Sequence, residues 1–126
     1  MFFKKKKQVE EVKVEVPQVN VEELKQKAQT LIASLEGKSG DDRISTLDEI
    51  GILLADAQEI DEAIRYLEVS LSEKKSLGNG YRKLLSLYNI KRREAAEAKD
   101  DEQIQYYLKK IDEMMAISKE VTRSSF

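Results

Sequence analysis

TLDEIGILLADAQEIDEAIRYLEVSL, residues 46–71, is the stretch from which the architecture of this chain follows. Leu47, Ile50, Leu54 and Ala55 recur at helical spacing, which predicts a helix with one buried stripe. QEID (58–61) then turns the chain, and Glu59 or Asp61 is placed to open the next helix. Gly51 breaks the local logic. A glycine inside a helix costs about 1 kcal/mol relative to alanine. The chain holds only five glycines in 126 residues, so one placed here suggests that a neighbouring element approaches the backbone closely.

The helical period extends in both directions. Upstream, Asn20 and Glu23 form a capping-box variant ahead of the stripe Leu24, Ala28, Leu31 and Leu35, which predicts a first helix over 20–36. EGKSGDD (36–42) breaks it. A second helix is expected from about Asp42 to Ala57, a third to about Ser76, and a break at LGNG (77–80). A fourth follows over Gly80–Lys99. KDDE (99–102) turns the chain, with Asp100 or Asp101 as cap, into a fifth helix ending near Thr122. No part of 20–126 alternates with period two. The fold class is therefore all-α: about five helices, packed as antiparallel hairpins because the breaks are short. Residues 1–19 (MFFKKKKQVEEVKVEVPQV) read as a flexible basic tail, since Val12, Val14 and Val16 alternate with charges but have no sheet to join.

The 46–71 stretch resembles the tetratricopeptide repeat. Ile50 and Gly51 match that family's Leu-Gly pair, and Leu54 its tyrosine. Ala63, Leu67 and Ser70 match its small–large–small pattern on the second helix, while Lys75 departs from a frequent proline. A second, degenerate unit spans 78–115. Adding 34 gives Tyr81, Leu84, Leu85 and Tyr88, whereas Ile104, Leu108 and Ile111 follow their counterparts by 41. Seven extra residues are about two helical turns, and the expectation is that they lengthen the fourth helix. The resemblance implies a short stack of hairpins in 20–126. In such a stack Gly51 would meet the second helix near Ala63 and Leu67, where the hairpin is narrowest.

Composition removes many chemistries. The chain has no cysteine and no histidine, so thiolate nucleophiles, disulfides, cysteine zinc sites and imidazole acid–base catalysis are excluded. Asp41/Asp42 and Asp100/Asp101 are expected at helix starts, where carboxylates satisfy free N–H groups. Glycine-rich phosphate loops, nucleophile elbows and calcium loops are missing. The expected protein is no enzyme and takes no cofactor or metal. The formal net charge of −2 gives no general attraction to nucleic acid, and Lys91, Arg92 and Arg93 have Glu94 and Glu97 close by on the same helix. Specific nucleic-acid binding is not expected.

The resemblance implies a noncatalytic adaptor that binds a peptide or helix of another protein on the concave face formed by first helices. That face would carry Asp48, Ile52, Asp56, Arg82, Ser86 and Asn89. Two alternatives stay open. One is a self-assembling module, in which a homo-oligomer completes the short stack. The other is weak contact with anionic membrane, or with nucleic acid, through Phe2, Phe3 and Lys4, Lys5, Lys6 and Lys7. A start with lysines but no apolar run after them does not read as a secretory signal. Location is expected in the cytoplasm, or at the inner face of its membrane.

Overall fold

A computed structural model describes residues 21–124 of the chain. Asn20 and the 1–19 tail lie outside the described residues. Five α-helices follow one another: α1 (21–34), closed by a 3-10 turn at Leu35–Gly37, α2 (Gly40–Asp56), α3 (Ile60–Glu73), α4 (Asn79–Glu97) and α5 (Asp101–Ser124). There is no strand among the described residues. The all-α architecture read from the periodicity is what forms.

The helix ends explain the hairpins. α2 stops because Gln58 takes a left-handed conformation, φ 69°. The Gln58 N–H then donates to the Ala55 carbonyl and the Glu59 N–H to the Leu54 carbonyl. This crossed pair satisfies carbonyls that a helix end otherwise leaves free. The same device returns 41 residues later. Lys99 has φ 57°, its N–H donates to Ala96, and the Asp100 N–H donates to Ala95. Asp100 also caps α5, its Oδ1 accepting from the Gln103 N–H at 3.2 Å. Each hairpin therefore turns through one geometry, although neither turn has the glycine that usually supplies it.

The first hairpin closes on Gly51. A Cβ built there would lie 2.5 Å from Leu67 Cγ and 2.6 Å from its Cδ2. The Leu67 side chain thus fills the space that any other residue at position 51 would occupy. Ala63, one turn away on α3, is fully buried but is not among the atoms nearest that position. The open end of the hairpin is clasped by Arg43, whose guanidinium meets both Glu73 carboxylate oxygens (2.9–3.2 Å), and by Lys74 on Asp41 at 2.7 Å. In the second hairpin the Tyr81 hydroxyl donates to the Met114 carbonyl of α5 at 2.6 Å.

The hairpins stack through α4, which packs on both α2 and α3. Ile50, Leu54, Ala63, Leu67, Leu84, Leu87, Tyr88 and Met114 form the shared core, joined by Ala28 of α1. α1 runs antiparallel to α2. Its Lys25 pairs with Glu59 beyond the far end of α2, and Lys38, just after it, donates to Thr46 near the start.

One expectation is corrected. α4 has 19 residues against 17 in α2, so it is not lengthened by seven. From the N-cap Ser39 to the N-cap Gly78 the unit measures 39 residues, and the extra length over 34 lies already in the first unit. The two consecutive methionines of α5 differ: Met114 is 2 % exposed and Met115 45 %. Adjacent helical positions point about 100° apart, and only one of the two can face the core.

Candidate partner-binding face

α2 presents the half-buried row Ile44, Asp48 and Ile52, whose four-residue spacing places them along one line. With Leu53, Ser45 and Glu49 they wall a groove of about 490 Å³, closed opposite by Lys74 and Ser76 of the α3–α4 connection and by Asn79 at the start of α4. The floor is apolar, from Ile44, Ile52 and Leu53. The edge is acidic, from Asp41, Asp48 and Glu49.

The three acids differ in what already holds them. Asp41 is fully exposed, and its carboxyl is held below the usual aspartate range first by the hydrogen bond from Lys74 and then by that ammonium's charge. Asp48 accepts a 2.5 Å hydrogen bond from the buried Ser70 hydroxyl of α3. Its carboxylate also lies against the backbone of Gly80, where an added Cβ would collide with it. Asp48 thus connects α2, α3 and α4 while bordering the groove. Glu49 is exposed and makes no ion pair among the described residues.

The face expected to be continuous is divided. Asp48 and Ile52 fall in the α2 groove, but Asp56 and Ser86 line a second one of about 740 Å³ with Lys83 and Ile90 of α4 and Glu23, Leu24 and Lys27 of α1. There Asp56 is paired with Lys83 at 3.5 Å. α1 forms one wall, and sequence reasoning did not place it there. Arg82 donates to Asn79 Oδ1 at 2.7 Å, and so joins the edge of the first groove only through that residue. Asn89 donates from Nδ2 to the Leu85 carbonyl of its own helix at 3.0 Å. The structure therefore brings two of the six expected residues into one groove and two into the other. It adds Ile44, Glu49, Leu53 and Asn79. Ile44 was legible as the start of the row through Asp48 and Ile52; Asn79 was not, because a tertiary crossing puts it there. Phe2, Phe3 and Lys4–Lys7 lie outside the described residues.

Elsewhere polar groups serve the fold. Tyr88 is buried and donates to Glu68 at 2.5 Å, with Lys110 of α5 3.9 Å from the same carboxylate. Burial, then the hydrogen bond to Glu68 and its charge, hold the Tyr88 phenol far above the ordinary tyrosine value, so it stays neutral. Among the described residues every buried polar side-chain atom has a hydrogen-bond partner, and no group of three acids is arranged to hold a metal ion. No helix among them is long and apolar enough to cross a membrane. Compared with family models, with curated proteins and with solved structures, the chain matches none.

Proposed function

We propose that this chain is a noncatalytic adaptor that binds an extended segment of another protein in the α2 groove. One observation carries the reading: an open groove with an apolar floor of Ile44, Ile52 and Leu53 runs beside the exposed carboxylate of Glu49. Apolar side chains of a partner gain by leaving water on that floor, at about 25 cal/mol per Å². The acidic edge favours basic residues flanking them and raises the rate of encounter. The likeness of 46–71 to tetratricopeptide hairpins, in which first helices line the binding face, supports the same assignment as an analogy of fold.

The test uses positions that do not hold the fold together. Asp48 is unsuitable, because its loss frees Ser70 and disturbs the Gly80 crossing. Ile52→Glu and Glu49→Lys change the floor and the edge while leaving the core intact. Proteins captured by the wild-type chain and crosslinked to it are expected to contact α2, and to be lost with Ile52→Glu at an unchanged melting temperature. Capture that is indifferent to both substitutions would refute the groove as the binding site.

A further inference from the structure

α5 packs along α4. Lys110 lies 3.9 Å from Glu68 and Glu120 3.0 Å from Lys75, so this side of the helix faces α3. Tyr107 and Met114 point into the core. The flank turned away from α3 carries Ile104, Leu108, Ile111 and Met115, at intervals of four, three and four residues. That is the spacing of a seam by which two helices pack together. Leu108 is 40 % exposed and Met115 45 %.

Comparison with the first hairpin shows why this row is open. Leu67 lies nine residues after the turn residue Gln58, and Leu108 nine after Lys99. Leu67 is 1 % exposed because Gly51, seven residues before the turn, makes room for it. The residue seven before Lys99 is Arg92, which leaves no such niche for Leu108. α3 packs on both α2 and α4, whereas α5 packs on α4 alone of these helices; within the row Ile111 reaches the core, and Leu108 and Met115 stay exposed. An end helix of a stack ordinarily needs a polar outer face; Gln105, Lys109 and Asp112 supply it here, and Leu108 and Met115 stand exposed beside it.

Charge indicates the occupant. Asp101 and Lys119 bracket the row on its own flank, 18 residues or five helical turns apart, roughly 27 Å. Both are exposed, and neither makes an ion pair among the described residues. Their midpoint is residue 110, and the row from Ile104 to Met115 is centred between residues 109 and 110. A two-fold axis through that point lays the row on itself and brings each Asp101 to the partner's Lys119. A parallel arrangement would instead oppose Asp101 to Asp101 and Lys119 to Lys119.

We propose that two copies of this chain pair antiparallel through α5, with Ile104, Leu108, Ile111 and Met115 as the seam and two Asp101–Lys119 ion pairs closing its ends. The contact is isologous and therefore closed, so it ends at a dimer. One row of four side chains from each copy makes a small contact, of the kind found in weak, reversible associations. The seam shares no residue with the α2 groove.

Sedimentation equilibrium of the full chain over a concentration series tests it. The weight-average mass is expected to rise from one chain toward two. Leu108→Glu or Met115→Glu, both at exposed positions, should leave the far-UV circular dichroism unchanged and hold the chain monomeric. Asp101→Lys alone and Lys119→Asp alone should each weaken the dimer several-fold. Asp101→Lys combined with Lys119→Asp should restore it, which only the antiparallel register allows. A monomer at every concentration, species larger than a dimer, a dimer that survives Leu108→Glu, or a charge swap that fails to restore association would overturn the proposal.

Discussion

Gly51 is a packing residue, and its effect is measurable. Replacement by leucine drives a side chain into the space of Leu67, which is fully enclosed, and overpacking of this kind costs about 3 kcal/mol. Gly51→Ala is more discriminating. Helix propensity alone would stabilise it by about 1 kcal/mol. The collision with Leu67 Cγ reverses the sign, and urea denaturation is expected to show a net loss of about 1 kcal/mol. Tyr88 gives a pH signature. Its phenol titrates higher in the folded chain than in the unfolded one, where the value is about 10. The folded state thus keeps a proton that the unfolded state releases. This contribution is complete below about pH 10 and is lost as pH rises further. Tyr88→Phe should lower stability at neutral pH by about 1 kcal/mol through the lost hydrogen bond. It should also flatten the alkaline decline in melting temperature. Gly51 was legible in the sequence, because glycine weakens a helix and close packing against that backbone offsets the loss. The Tyr88–Glu68 bond was not, because it joins positions 20 residues apart on different helices.

The helices were read from their stripes, and their ends fall within a few residues of expectation. Their turns carry information the stripes do not. Gln58 and Lys99 adopt a conformation that costs an L-residue about 1–2 kcal/mol and glycine nothing. Gln58→Gly and Lys99→Gly are each expected to stabilise the chain by about 1 kcal/mol, less the entropy that glycine adds to the unfolded state. Thermal melts of the two single variants and the pair check this, and the effects should add, since the turns belong to different hairpins. The periodicity of α5 placed Ile104, Leu108 and Ile111 as a buried pattern by analogy with Ala63, Leu67 and Ser70. In the structure Leu108 is 40 % exposed while Leu67 is buried. A stripe shows that a helix has an apolar side; it does not show that anything covers it.

Across the molecule, two surfaces are proposed as binding faces: the α2 groove and the Leu108–Met115 flank of α5. They lie on different helices, so Ile52→Glu should abolish capture of a partner without changing the sedimentation profile. Leu108→Glu should do the converse. α1 reshapes the expected concave face by walling off Asp56 and Ser86 from Asp48 and Ile52. The order of amino acids was enough to set the helical class, the short breaks that make hairpins, the close approach at Gly51 and the lack of histidine and cysteine chemistry. These are local properties, set by propensity, spacing and residue type. The 39-residue unit, the split of the face into two grooves and the open flank of α5 arise from packing. Which residue meets Leu67, what covers Leu108 and which lysine neutralises Asp41 depend on contacts between helices far apart in the chain. Periodicity leaves those contacts undetermined.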